Sequence, residues 1–204
     1  MSENSIAVTT GVGKNIHTID RTVASILVQD QVVIPGLFPF DTFIASAAAV
    51  SAANAGDDML QLMAASSMHL HVVRVRVEQM APVGTAAYTD LQLLRITTAG
   101  TLGTAVTPTK LNNGSAATGV GMSGILNANR GTAGASIFQR AIEPIQTAPA
   151  GGGPTPFWEW TKSEYGSAIV IPGGGSNGIA IRNGHARASL TLNVEIEFFE
   201  ATYL

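Results

Sequence analysis

The chain contains no cysteine. Disulfides, zinc–thiolate sites and cysteine nucleophiles are therefore excluded together, and the redox compartment is left open. Charge is scarce as well. Asp, Glu, Lys and Arg make up 12% of residues, the net charge is −3, and the basic residues form no cluster. A nucleic-acid footprint requires such a cluster, so no nucleic-acid partner is expected. No apolar run approaches the ~18 residues of a membrane span. Met1-Ser-Glu-Asn-Ser5 has neither a basic nor an apolar signal-peptide region, so neither a leader nor a membrane partner is expected. Ala, Gly, Thr and Ser stand where charge is missing. That composition fits a surface largely covered by neighbours.

With 204 residues there is room for one sizeable domain and an appendage, without any internal repeat. The clearest signal lies near the end. Leu190, Leu192, Val194, Ile196 and Phe198 occupy every second position, with Thr191, Asn193, Glu195 and Glu197 between them. Successive side chains of a strand point to opposite faces, so this spacing predicts a long strand with one apolar face, suited to the middle of a sheet. Upstream, Ile169–Ile171, the glycine-rich Pro172–Gly178, Ile179–Ile181 and Asn183-Gly184 read as strand, turn, strand, turn.

His69–Gln79 alternates Val73, Val75 and Val77 with Arg74, Arg76 and Glu78, whereas Leu70 and Val72 fall out of step, the mark of a bulge. Further strand patterns run over 88–97, over 104–111 with Pro108 interrupting, and over 137–145. Turn chemistry separates about eight short strands, which argues for an all-β sandwich or barrel over residues 67–204. Residues 1–40 read as an extended N-terminal arm. Its apolar Leu37, Phe38 and Phe40 call for a surface to lie on, either the chain's own body or another subunit. The alternative is that this stretch supplies one or two ordinary core strands. Residues 41–66 form an Ala-rich connecting segment. Asp41 is placed to cap a short helix through Phe43, Ile44, Ala47, Ala48 and Val50, with Gly56 ending it.

Residues able to carry chemistry are few. Gly119-x-Gly121-x-x-Gly124 matches the dinucleotide fingerprint in letters, but a polar loop precedes it and a poor helix follows, so a plain loop is expected. His69 and His71 share a strand face and would offer two imidazoles to a metal, with Asp57 or Asp58 as a third donor; half-exposed strand histidines are the simpler expectation. Ser123 and Ser176 sit in glycine-rich turns without the Gly-x-Ser-x-Gly elbow, and His185 reads as a hairpin residue. Glu159 and Glu164 beside Trp158, Trp160 and Tyr165 suggest a sugar cleft. Set against that, Phe157, Trp158 and Trp160 make a core edge or an interface anchor. Asn113-Gly-Ser115 is a glycosylation sequon, of little meaning without a secretory leader. Arg74 and Arg76 are expected to meet Glu195 or Glu197 across a sheet, or a neighbouring subunit.

The run Leu93–Thr118, together with Ile171-Pro-Gly-Gly174, Gly178-Ile-Ala-Ile181 and Leu192–Glu200, resembles structural proteins of tailed-bacteriophage virions of the jelly-roll, capsid-decoration type. The likeness covers roughly residues 67–204. It implies a jelly-roll-type antiparallel β-sandwich in a symmetric oligomer, most often a trimer. The partners it implies are further copies, a major capsid protein or other virion proteins. The implied location is the virion, at the capsid surface, with no cofactor, no metal and no catalytic residues, hence no enzyme. The interface residues expected on this reading are Leu37, Phe38, Phe40, Trp158 and Trp160. A carbohydrate-binding, host-adhesive module of a phage fibre or tail is the alternative.

Overall fold

The structure is a computed structural model. It describes residues 18–23, 26–31, 41–81, 83, 88–111, 116–144 and 155–202, those of 18–31 and 155–157 by their backbone alone. The chain divides into two compact units between Pro39 and Phe40. In the first, β1 (Thr18–Val23) and β2 (Ile26–Gln31) pair antiparallel, with Val23 opposite Ile26. The expected arm thus contains a strand pair. Leu37, Phe38 and Phe40 lie outside the described residues.

The second unit carries β3 (Thr42–Ser51), β4 (Asp58–Met63), β5 (His69–Gln79), β6 (Thr89–Ile96), β7 (Thr104–Val106), β8 (Thr109–Lys110) and β9 (Val120–Ile125). There follow β10 (Ala133–Ile142), β11 (Thr155–Thr161), the one-turn helix α1 (Lys162–Tyr165), β12 (Ile169–Ile171), β13 (Gly178–Asn183) and β14 (Thr191–Ala201). One sheet runs β11-β5-β14-β3-β8 and the other β10-β6-β13-β4-β9-β7, with β12 also on β5. All the pairings are antiparallel. Without the insertion β7–β9, the sheets reduce to β3-β14-β5-β11 and β4-β13-β6-β10, and the chain crosses between them at nearly every step. That is the order of a jelly roll.

The strand β14 is central, between β5 and β3, as its length and alternation predict. Leu190, Leu192, Val194, Ile196 and Phe198 are all fully buried, and the residues between them are half-buried. They meet Val72, Val75 and Val77 of β5 on the same inner face. Each such side chain removed from water contributes about 1.5–3 kcal/mol. The slip in β5 is real: Glu197 faces Arg74 and Phe198 faces Val72, so Val73 is the extra residue of a bulge. Pro108 marks the point where the chain leaves one sheet, at β7, and joins the other, at β8.

The Ala-rich segment is a correction. Residues 42–51 are strand, not helix, and β4 follows directly, so residues 41–66 contribute one strand to each sheet rather than a connector. Phe43 and Ala45 point into the core, and Phe43 lies 5.5 Å from Phe198 between ring centres. Alanine prefers helix, but β3 is committed by its ladder to β14 from Thr42 to Ser51, and tertiary pairing outweighs weak local propensity.

Candidate functional site

The two sheets of the sandwich come to an edge at β3 and at the insertion strands β7 and β9. At one end this flank is closed. The strand β8 covers Phe43 and Ile44 of β3, and the N–H of Leu111 donates to the carbonyl of Thr42 at 2.8 Å. Beyond Ile44, among the described residues, no strand lies along that edge of β3. Backbone groups alternate sides along a strand, so Ser46 presents its N–H and C=O outward, as Thr42 does. Opposite, across a groove of about 590 Å³, stand Thr104–Thr107 and the Ser123–Gly124 corner of β9. The walls are Ala, Ser, Thr, Val and Gly, without a charged or aromatic side chain. The volume is that of a small-molecule cleft, but such clefts carry aromatic walls, and this one has none; its side-chain polar groups are Ser and Thr hydroxyls.

At Ala48–Ala49 the edge is irregular. The ladder to β14 slips there, Ala49 adopts a left-handed φ of 55°, and its N–H donates to Oδ1 of Asn193 at 3.1 Å. A bulge of this kind bends an edge strand and limits how far another strand can pair with it.

The groups that suggested chemistry are engaged in holding the fold. Gly121 and Gly124 lie within β9, not at a strand-to-helix turn. The carboxylate of Glu200 accepts the N–H of Gly119 at 2.6 Å, the N–H of Thr118 at 2.9 Å and the Thr118 hydroxyl at 2.9 Å. The backbone donors that a phosphate would need are thus filled by the chain's own carboxylate. Asp57 accepts from the N–H of Asn127 at 2.7 Å and from Asn54, while Arg130 reaches the carbonyl of Gly56. Asp58 is fully buried and forms a bidentate pair with Arg182, at 2.5 and 3.1 Å, with Gln61 donating to it at 2.6 Å.

His69 is buried opposite Ala201, and His71 stacks on Phe199 with 4.5 Å between ring centres. Among the described residues no three His, Asp or Glu side chains converge as a metal site would require. The His71 pKa is lowered from 6.5, first by burial, then by the neighbouring charges of His69 and Lys162. Its neutral form is favoured in the fold, so the unfolded chain takes up the proton more readily. Stability should be complete above pH 6.5 and decline below it, until the lowered pKa is passed. His71→Phe keeps the ring stack. Its urea midpoint should fall less steeply between pH 7 and pH 5 than that of the parent chain.

The aromatic cluster resolves toward core. Trp158 and Trp160 are 2% and 3% exposed, so neither offers a face to a neighbour or a sugar. They lie opposite Val77 and Val75 of β5 and share the inner face of β11. Phe138 of β10 stacks on Trp158 at 5.5 Å, closing the flank away from the groove. Glu159 points to the other side and is exposed, as is Glu164 on α1. Tyr165, 52% exposed and stacked on Trp160, is the one ring of that trio on the surface. Ser123 is buried on β9, whereas Ser176 and His185 are exposed in turns. Among the described residues no hydrogen bond joins the His185 ring to a serine or a carboxylate. The sequon at Asn113 lies outside the described residues.

The outer face of the β5–β14 pair is polar, as the charge pattern predicts. Arg74 meets Glu197 at 3.0 Å, and Arg76 stands between Glu159 and Glu195 and pairs with Glu78. These half-exposed pairs are worth about 0–1 kcal/mol each. The features that sequence reasoning did not find are the buried Asp58–Arg182 pair, the Glu200 clamp and the groove. Each joins segments far apart in the chain, so no local pattern announces it. Compared with protein-family models, curated proteins and solved structures, the chain matches none.

Proposed function

We propose that this protein is a structural component of a tailed-bacteriophage virion, a decoration or cement protein on the capsid surface. Its work is adhesion, to copies of itself in a trimer and to a major capsid protein or another virion protein. The observation that carries the reading is a contrast within one jelly roll. Glu200, Asp57, Asp58 and Arg182 are engaged with the chain itself, yet among the described residues no strand covers β3 beyond Ile44, and the groove beside it is uncharged. A domain so arranged supplies contact area and strand edges rather than acid, base or nucleophile. An interface of about 800 Å² per partner is enough for specificity. Repetition over a shell then adds avidity without any new kind of contact.

The glycan-binding alternative requires exposed rings in a row. With Trp158 and Trp160 in the core it retains only Tyr165.

The test combines light scattering of the purified chain with electron microscopy of an intact particle. The expected results are a solution mass of three times 21.1 kDa and jelly-roll density on the outer shell. A strict monomer that binds no capsid refutes the proposal.

A further inference from the structure

The half-open flank of β3 is shaped for one extended strand. The β8 cap ends at Ile44, and the backbone of Ser46 is aimed at a groove of about 590 Å³. Natural sandwiches protect such an edge with Lys, Pro or a covering loop. Thr42–Ser51 contains neither Lys nor Pro, and only the Ala48–Ala49 bulge blunts it. The side chains on both walls of the groove are small. Main-chain hydrogen bonds would supply the affinity, and the small alternate pockets the selection.

An uncharged occupant fits this groove best, because none of the lining side chains carries a charge that would pair with one. It must also lack proline, which cannot donate to a ladder. Of the chain outside the described residues, 32–40 contains Pro35 and Pro39, while 145–154 contains Pro149, Pro154 and three consecutive glycines. Residues 84–87 and 112–115 are short and sit between paired strands. Ser5-Ile-Ala-Val-Thr-Thr10 has neither charge nor proline, and it alternates Ile6 and Val8 with Ala7 and Thr9. Its small and β-branched residues suit a narrow, uncharged slot.

We infer that the open edge of β3, at Ala45–Ala48, takes the segment Ser5–Thr10 of a second copy as an added strand, so that copies are joined by strand donation. The inference rests on the oligomeric reading proposed above and names the joint. Donor and acceptor are different surfaces, so the contact is either exchanged reciprocally between two copies or runs head-to-tail, and a head-to-tail contact closes into a ring such as a trimer where the rotation between copies allows it.

The absence of native cysteine makes the test clean, because any thiol crosslink reports the residues chosen. Full-length copies carrying Ser46→Cys are co-expressed with copies carrying Ala7→Cys or Val8→Cys and treated with a short bismaleimide. Both donor positions are used because they point to opposite faces. Glu159→Cys, on an exposed face of β11, replaces Ser46→Cys as the collision control. The expected result is a heterodimer band at least tenfold above the control. A Val8→Pro chain should also lose its oligomer in light scattering while keeping the fluorescence of its buried tryptophans. Crosslinking no better than the control overturns the inference, as does a Ser46→Cys/Val8→Cys double variant that crosslinks only within one chain. Crosslinking between copies in a protein that binds no particle would support strand donation and remove the virion reading. Particle binding without the crosslink would do the reverse.

Discussion

Replacing Arg182 with methionine should lower the unfolding free energy by about 3–5 kcal/mol, the cost of leaving a buried charge without its partner. Asp58 is 0% exposed, and both of its oxygens depend on the guanidinium, at 2.5 and 3.1 Å. Methionine fills part of the volume of the arginine stem but donates nothing. Gln61 alone would then face the carboxylate, and Gln61 also accepts the N–H of Gly100 at 2.8 Å, so its loss of position would loosen the loop after β6. The urea midpoint should fall accordingly, with an unchanged slope. The double variant Asp58→Asn/Arg182→Met removes the stranded charge while keeping an acceptor for Gln61, and it should recover most of the loss. If Arg182→Met alone costs less than about 1 kcal/mol, the pair behaves as a surface ion pair does and does not hold the sheet.

Glu200→Ala is expected to cost about 3 kcal/mol, since it leaves backbone donors in the interior without an acceptor. The carboxylate receives the N–H of Thr118, the N–H of Gly119 and the Thr118 hydroxyl. These tie the last residues of β14 to the entry of β9, across the join between the two sheets. The site is tight: a Cβ at Gly119 would stand 3.0 Å from the carbonyl of Met63 and 3.2 Å from Glu200, so the chain passes close and cannot turn to other partners. Amide hydrogen exchange is the direct check. Protection at Thr118 and Gly119 should drop in Glu200→Ala, with β5 and β13 little changed. Glu200→Gln retains one acceptor oxygen and should recover part of the protection. Unaltered exchange at both amides would mean that the clamp is incidental.

Several elements were legible in the sequence because their cause is local. The alternation from Leu190 to Phe198 needs only the two-residue period of an extended chain, and every apolar member of it is buried. The misstep at Val73 announces its bulge for the same reason, and Pro108 announces a break in its strand because it cannot donate to a ladder, although only the fold shows that the break is a change of sheet. A meeting of Arg74 or Arg76 with Glu195 or Glu197 could be expected in advance, since opposite charges on two outward faces attract once the strands are neighbours; the fold selects Arg74 with Glu197. The Ala-rich stretch was not legible. Its residues prefer helix weakly, and strand is imposed by a partner about 150 positions away.

The alternating pattern by itself determined that this chain builds β-sheet with an apolar interior, and the absence of cysteine excluded disulfides and thiolate chemistry. Tertiary structure alone decided that Asp58 meets Arg182, that Glu200 fills the glycine-rich turn, that the tryptophans face inward, and that among the described residues no strand follows β3 beyond Ile44 on its outer edge. The physical reason is range. Periodicity is written within a single strand, whereas the choice of neighbouring strand is settled by closing long loops against the competing pairings of the whole chain.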